Sequence, residues 1–514
     1  MQRGEMRRLI VWISVVILGA AFSAFAQEND LEKGISAYKN GNYAEAATLL
    51  RAELAKSPDS KEANHYLGMS LWKSGQADSS LPYLKKAYQR DLKNADYTIA
   101  LGDLYREKGM LAEAEAVYQA GIAVGKKSHK ARFYYGLGML GLEADSLNSA
   151  IVNLMHAREA DSKEVKVYVA LAEAYAKQKV NSLAIDNYRQ ALTLDSTLID
   201  IRYDLAKLLY KDRQFNESLI EYRKIVEASP SYKDAYYQIA HLYFLGKRYP
   251  EAIENGEAAA KLGSTDVGLT RLLSTLYYDT KDYAKAVDTF GRLAQLDSLS
   301  AQEYLEWGRS YQYLKRNAEA ITTLEKAVEM DSSLDVHFDV GTLLYGEGRY
   351  PEAITHYEKK IQADPQSASA YLNMGFSYIR LQKYQDAVKA FRKGVELRPD
   401  DLQSHLWLAQ SYAMVDDLEQ AKNEYTVVAK MDSTDAASRR YIGFYYLMKK
   451  DYPLAITYLQ RATALEPGDS QAHLWLAQAF LLNHEGKKAL VEYRRVLQLD
   501  PNNKEAQKRV KILE

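Results

Sequence analysis

The sequence repeats itself with a period of 34 residues, and this period restricts the fold more than any other feature. The hexapeptide His-Leu-Trp-Leu-Ala-Gln occurs unchanged at 405–410 and at 473–478, which lie 68 residues apart, or two periods. A Tyr-x-x-Ala segment recurs at the same interval, as at 350–353 and 384–387. A period of this length is typical of an array in which each repeat is one structural unit that cannot bury its apolar surface alone.

Aligning these segments on the alanine of Tyr-x-x-Ala, taken as position 20, divides the chain into fourteen units over residues 27–503. The predicted units begin at residues 27, 61, 95, 129, 165, 199, 233, 267, 301, 334, 368, 402, 436 and 470. Position 8 is Gly, Ala or Ser in every unit. At 100° per residue, positions 4, 7, 8 and 11 share one face of a first helix, and positions 20, 24 and 27 share one face of a second. Small residues at positions 8 and 20 let the two helices approach, so each unit is predicted to be a helical hairpin.

The eleventh unit shows the pattern clearly, with Gly375, Tyr378, Ala387, Phe391 and Pro399 at positions 8, 11, 20, 24 and 32. This pattern resembles the tetratricopeptide repeat (TPR) family, and the resemblance extends over residues 27–503. It implies an all-α fold, a right-handed α-α superhelix (solenoid) of about fourteen TPR hairpins. It also implies a protein that binds extended or helical peptides in its concave groove.

Residues 504–514 follow the last unit and have their own apolar spacing. Ala506, Val510 and Leu513 recur at i, i+4 and i+7, with lysine and arginine between them. This amphipathic pattern predicts a C-terminal capping helix that covers the last hairpin.

The first 26 residues have the features of a Sec-type signal peptide. Arg3, Arg7 and Arg8 precede an apolar run from Leu9 to Ala26, which ends in the small-x-small sequence Ala-Phe-Ala. A transmembrane anchor is the alternative for a run of this length, but the small residues at its end and the lack of a basic flank favour cleavage after Ala26. The mature chain is therefore predicted to begin at Gln27, to be periplasmic or secreted, and to keep no membrane span.

Composition and motifs exclude several classes of function. The chain has no Cys, so disulfides and thiolate sites are impossible, and a net charge of −1 gives no electrostatic footprint for nucleic acid. Gly136-Leu-Gly138-Met-Leu-Gly141 matches a dinucleotide-binding pattern, but it lies within a predicted helix instead of between a strand and a helix. His337, His405 and His473 share position 4 and are interpreted as core residues. We therefore predict no catalytic residue, no metal site and no cofactor, and a protein that is not an enzyme.

Positions 2, 6, 9 and 13 point away from the packing face and are predicted to line the groove. In units three to six this lining is charged: Asp96, Asp103, Glu107, Lys166, Glu173, Lys177, Asp200, Lys207 and Lys211. In units eleven to fourteen it is apolar, and these residues are the predicted partner-binding site: Phe376, Trp407, Met414, Tyr441, Phe444, Met448, Trp475 and Leu482. Apolar surface of this extent marks an interaction site. The alternatives are that the array itself, or a second copy of the chain, buries these side chains.

The leading functional hypothesis is an exported scaffold that binds a protein or peptide partner in its groove, in envelope assembly or secretion. A glycan-handling or exopolysaccharide-export accessory protein is the alternative, because Trp and Tyr faces also suit sugar rings. Asp-Ser-Thr at 195–197 and 432–434, and Asp-Ser-Leu at 297–299, resemble an O-glycosylation sequence of exported bacterial proteins. Capping of the following helix explains the same residues.

Overall fold

A computed structural model describes residues 30–514, which consist of helices and turns without a strand. The predicted signal peptide, 1–26, lies outside the described residues. The described part forms two compact units, which divide between Ser264 and Thr265. Each unit contains seven helical hairpins, so the prediction of an all-α fold of stacked hairpins is confirmed.

The first unit contains fourteen α-helices. They are α1 (Asp30–Lys39), α2 (Tyr43–Lys56), α3 (Lys61–Lys73), α4 (Ala77–Arg90), α5 (Ala95–Glu107), α6 (Leu111–Val124), α7 (Lys130–Glu143), α8 (Leu147–Ala160), α9 (Val165–Lys177), α10 (Asn181–Leu194), α11 (Ile199–Lys211), α12 (Phe215–Ala228), α13 (Lys233–Leu245) and α14 (Tyr249–Lys261). A short 3₁₀ turn, Lys127–His129, precedes α7.

The second unit contains fifteen helices, the last of which has no hairpin partner after it. They are α15 (Val267–Asp279), α16 (Tyr283–Leu296), α17 (Ala301–Tyr313), α18 (Asn317–Met330), α19 (His337–Gly346), α20 (Tyr350–Ala363), α21 (Ala368–Arg380), α22 (Tyr384–Leu397), α23 (Leu402–Met414), α24 (Leu418–Met431), α25 (Ala436–Met448), α26 (Tyr452–Leu465), α27 (Ser470–Leu482), α28 (Gly486–Leu499) and α29 (Lys504–Leu513).

Small residues at position 8 bring the two helices of a hairpin together. A Cβ atom added to Gly375 in α21 would lie 2.8 Å from the Phe391 ring of α22. A Cβ atom on Gly102 would lie 2.5 Å from the ring of Tyr118. The large side chain at position 24 therefore occupies the space that position 8 leaves empty.

The turn inside most hairpins uses a residue at position 15 with positive φ. Glycine occupies this position at Gly41, Gly75, Gly109 and Gly348, with φ between 71° and 81°. In most other hairpins a residue with a side chain adopts the same conformation, with φ between 56° and 65°: Lys179, Arg213, Lys247, Lys281, Lys315, Gln382, Asp416, Lys450 and His484. A left-handed residue is a common way to end a helix, and for L-residues it costs about 1–2 kcal/mol.

His405 and His473 at position 4 are buried, in agreement with their interpretation as core residues, and each also pairs with a glutamate. His405 is buried, with its Nδ1 atom 2.5 Å from Oε2 of Glu424 and its Nε2 atom 3.0 Å from the carbonyl oxygen of Pro399. It therefore ties its own hairpin to the loop before it. The same pairing of position 4 with position 23 joins Arg202 to Glu221 and His473 to Glu492, each at 2.6 Å.

Helix α29 closes the second unit by packing on the last hairpin. Its Ala506 is fully buried, and Val510 and Leu513 pack against the cluster that contains Tyr493 and Val496 of α28. Within residues 30–514, no helix has the length and apolar character needed to cross a membrane.

Candidate partner-binding surface

Two aromatic pairs connect neighbouring hairpins of the second unit. Phe376 of α21 meets Trp407 of α23 edge to face, with ring centroids 5.0 Å apart. Two periods later, Phe444 of α25 stacks on Trp475 of α27 at 4.3 Å and 27°. Each pair joins position 9 of one repeat to position 6 of the next. These four side chains are half-buried because they pack on one another, so they stabilise the stacking of hairpins.

Tyr441 is also half-buried and extends the second aromatic pair. Its ring lies parallel to that of Tyr425, at 4.6 Å and 2°, and its centroid lies 6.4 Å from that of Trp475. Burial is the main cause that raises the pKa of Tyr425, and Tyr441 raises it further. Tyr441 therefore joins the second helix of hairpin twelve to the first helices of hairpins thirteen and fourteen.

The three remaining predicted residues form an exposed apolar row. Met414, Met448 and Leu482 occupy position 13 of consecutive repeats and are 51%, 56% and 48% exposed. We call them the position-13 row. Flexible methionine side chains adapt to many apolar shapes, which suits a binding surface. Of the eight predicted residues, these three are the ones most accessible to a partner.

A cavity of about 460 Å³ lies at the C-terminal end of this row, between α25, the start of α26, α27, α28 and α29. Its apolar walls include three of the predicted residues and four that the sequence analysis did not select as site residues. The predicted residues are Phe444, Met448 and Leu482, and the added ones are Leu447, Tyr452, Leu481 and Tyr493. Four polar residues line the rest of it: Lys450, Gln478, Glu505 and Arg509. We call this space the terminal cavity.

Tyr493 could have been identified from its position in the repeat. It occupies position 24, where in two other hairpins the tyrosine hydroxyl donates to position 9 of the same hairpin. Tyr118 donates to Asp103 in this way, and Tyr357 donates to Thr342 Oγ1 over 3.5 Å. The sequence pattern predicts position 24 only as a core position, so the polar group at the cavity wall is a finding of the structure.

The charged lining of the third to sixth hairpins is largely paired within the first unit. Arg132 Nη1 donates to Asp96 over 2.7 Å, and the Lys166 ammonium group lies 5.0 Å from the centre of the Tyr135 ring. Burial, followed by the charge of Asp204, raises the pKa of Glu173. A second cavity, of about 410 Å³, lies here and includes Asp204, Lys207 and Lys211. Its lining has two cations and one carboxylate, as the lining of the terminal cavity does.

The dinucleotide-like pattern is a packing feature of α7. Added Cβ atoms would lie 2.5 Å from Tyr118 at Gly136, 2.5 Å from Leu154 at Gly138 and 2.8 Å from the backbone of Ala150 at Gly141. The three glycines therefore allow close contacts between helices. Across residues 30–514 no group of three or more His, Asp or Glu side chains is arranged to hold a metal ion.

The Asp-Ser-Thr segments form turns and do not cap the following helix, contrary to the capping interpretation. Thr197 Oγ1 donates to Asp195 Oδ1 at 2.6 Å, and Thr434 Oγ1 donates to Asp432 Oδ1 at 2.7 Å. The Thr197 hydrogen bonds lower the pKa of Asp195. The residue before α11 is Leu198, which provides no side-chain cap. The threonine hydroxyls in these two turns are therefore engaged by the preceding carboxylate.

Models of the tetratricopeptide repeat family match segments that together cover more than half of the chain. The matched residues are 31–96, 65–129, 165–198, 203–267, 304–333, 341–382, 368–401 and 446–511. The chain belongs to the tetratricopeptide repeat family. TPR arrays serve as scaffolds for protein interaction and are generally non-enzymatic. Among curated proteins, none has a sequence that matches this TPR protein significantly.

Several solved TPR structures are similar to this one. YrrB, described as a TPR protein with an unusual peptide-binding site, is 18% identical, with a TM-score of 0.34 over 36% of this chain and 97% of its own. The C-terminal part of a TPR protein from Cytophaga hutchinsonii is 22% identical, with a TM-score of 0.34 over 53% of this chain and 99% of its own. PilF from Pseudomonas aeruginosa is 19% identical, with a TM-score of 0.35 over 42% of this chain and 97% of its own.

Proposed function

We propose that this TPR protein is an exported, non-enzymatic scaffold that binds a protein partner on hairpins eleven to fourteen, in envelope assembly or secretion. The observation that carries the proposal is the position-13 row, in which Met414, Met448 and Leu482 stay about half exposed on consecutive hairpins. A row of large apolar side chains that leads into an apolar cavity is typical of an interaction surface. The export part of the proposal rests on residues 1–26.

The aromatic pairs favour a protein partner over the glycan alternative. A sugar ring needs an open aromatic face, but Phe444 and Trp475 stack on one another, and Trp407 packs at right angles against Phe376. The exposed members of the row are aliphatic or thioether side chains, which offer no hydrogen bond to a sugar hydroxyl. We therefore place the partner contact on the row and assign the aromatic pairs to hairpin stacking.

The test compares a triple variant and a double variant of the full chain. Met414→Gln, Met448→Gln and Leu482→Gln together remove the apolar row at exposed positions, so the effect on folding is small. Lys207→Ala with Lys211→Ala removes charge from the other half. The wild-type protein captures its partner from a cross-linked envelope extract, the partner is identified by quantitative mass spectrometry, and the purified pair is then titrated by calorimetry.

We expect the row variant to raise the partner's Kd by about tenfold or more, since apolar anchors contribute most of the energy at an interface. The lysine variant should mainly change the salt dependence of binding. Loss of the partner in the lysine variant with full binding in the row variant would reverse the assignment. If a second copy of the chain binds at the row, the molecular mass of the protein in solution would rise with its concentration.

A further inference from the structure

Tyr493 is a buried tyrosine whose hydroxyl has no hydrogen-bond partner among the described residues. Its side chain is fully buried, and it lines the terminal cavity. Burial raises the pKa of Tyr493 to about 12, so the phenol is protonated at neutral pH and has a proton to donate. A buried donor without an acceptor destabilises a fold, and native proteins retain few of them.

The residue at position 9 differs between hairpins in which the position-24 tyrosine has a partner and hairpins in which it has none. Tyr425 of hairpin twelve, with Gln410 at position 9, also lacks a partner. In hairpins three and ten, position 9 holds Asp103 and Thr342, which accept the proton of the position-24 tyrosine. In hairpin fourteen, position 9 is Gln478, and its Nε2 atom donates instead to Glu505 Oε1 at 3.1 Å. The closing helix therefore holds Gln478 through its amide nitrogen, and Gln478 accepts no hydrogen bond from Tyr493.

The polar side of the terminal cavity has an excess of positive charge. Lys450 and Arg509 are the cations of the lining, and Glu505 is its carboxylate. Glu505 is already bonded to Gln478 and lies 3.9 Å from Nε of Arg509. No carboxylate within residues 30–514 forms an ion pair with Lys450. An acceptor with negative charge thus complements both the free phenol proton and the surrounding charge.

The remaining walls are apolar. Phe444, Met448 and Leu482 face the cavity together with Leu447, Leu481 and Tyr452. The volume of about 460 Å³ lies within the range of about 300–1,000 Å³ that small-ligand pockets span, so one large side chain with a neighbouring carboxylate fits in it.

We propose that the terminal cavity binds a peptide segment that presents a large apolar side chain next to a carboxylate, and that Tyr493 donates its hydroxyl proton to this carboxylate. The apolar side chain occupies the space beside Met448, and the carboxylate lies between Tyr493 and Arg509. This inference rests on the proposed function, because it defines the chemistry that the protein partner offers at the end of the position-13 row.

The experiment uses the full mature chain labelled with ¹³C at the methionine methyl groups. The probe is N-acetyl-L-phenylalanine as its carboxylate, and the comparison probes are its primary amide and N-acetyl-L-aspartate. We expect a saturable shift of the Met448 methyl signal with the phenylalanine carboxylate, at a Kd in the millimolar range, and none of the Met139 signal in the first unit. The amide should bind about tenfold more weakly, and the aspartate should not saturate the signal.

Tyr493→Phe is the decisive variant, since it removes only the hydroxyl. We expect it to weaken binding of the carboxylate probe by about tenfold while leaving binding of the amide unchanged, because a hydrogen bond to a charged group is stronger than one to a neutral group. Arg509→Gln should weaken binding of the carboxylate probe and reduce the salt dependence of that binding. No saturable Met448 shift, equal binding of acid and amide, or unchanged binding in Tyr493→Phe would each overturn the inference.

Folding controls come from the repeat itself. Tyr493→Phe should keep or raise the midpoint of urea denaturation, since it removes an unpartnered donor. Tyr118→Phe should lower that midpoint, since it removes the hydrogen bond to Asp103. Partner binding separates the two proposals: if the row variant loses the partner but Tyr493→Phe keeps both the partner and the probe, the scaffold function stands and the carboxylate site is refuted.

Discussion

Two glycines in neighbouring hairpins respond in opposite directions to the same substitution. Gly308 of α17 faces Leu324 of α18, and an added Cβ atom would lie 2.7 Å from Leu324 Cγ and 3.1 Å from its backbone nitrogen. Gly291 lies inside α16, where the nearest atom to an added Cβ, beyond its chain neighbours and its own helix backbone, is Trp307 Cζ2 at 3.9 Å. Gly308→Ala therefore tests close packing, and Gly291→Ala tests helix propensity alone.

The structure sets the magnitudes. Extra atoms in a well-packed core lower the free energy of unfolding by about 1–3 kcal/mol. We expect a value at the upper end for Gly308→Ala, because Leu324 is fully buried and its backbone cannot move away from the added methyl group. Replacement of Gly by Ala inside a helix raises the free energy of unfolding by about 1 kcal/mol. We therefore expect Gly308→Ala to lower the free energy of unfolding by about 2 kcal/mol and Gly291→Ala to raise it by about 1 kcal/mol.

Urea denaturation followed by circular dichroism measures the order of the midpoints. Hydrogen exchange of the amides in α16, α17 and α18 adds a local measurement, because repeat arrays do not always unfold in one step. We expect the urea midpoint to be highest for Gly291→Ala, intermediate for the wild type and lowest for Gly308→Ala. Equal midpoints for the two variants, or a stabilised Gly308→Ala, would refute the close contact between α17 and α18.

Three further predictions follow from single sites. Ala387→Trp at a fully buried position 20 should cost about 1–3 kcal/mol or more in free energy of unfolding, while Lys389→Glu on the exposed face of the same helix should change the urea midpoint little; similar midpoints would contradict the register. Burial, and next the charge of His337, lowers the pKa of His356 to about 4 from 6.5. The unfolded chain thus takes up the proton first, and stability should fall as the pH drops from about 6.5 to 4, by about 2–3 kcal/mol more than in His356→Gln; parallel pH profiles would exclude this site. Finally, the intact mass of the exported protein should place its first residue at Gln27, whereas a membrane-bound form that keeps residues 1–26 would refute export.

The sequence by itself determined the hairpin architecture, because the signals for it are local and repeated. Small residues at position 8, such as Gly375, and alanines at position 20, such as Ala387, mark the contact between two helices that are adjacent in the chain. A pattern of this kind needs no knowledge of distant residues, since each hairpin repeats the same packing. The apolar face of α29 could be read in the same way from Ala506, Val510 and Leu513.

Only the tertiary structure decided which groove residues are available to a partner. A helical wheel places Trp475 and Met448 on the same outward face, but it cannot show that Phe444 of the preceding hairpin covers the Trp475 ring while Met448 stays exposed. The same wheel cannot show that Gln478 turns its amide nitrogen toward Glu505 of α29 and that the Tyr493 hydroxyl has no partner. These outcomes arise between hairpins, where the separation and rotation of neighbouring helices set the contacts, and a pattern within one repeat does not contain those two quantities.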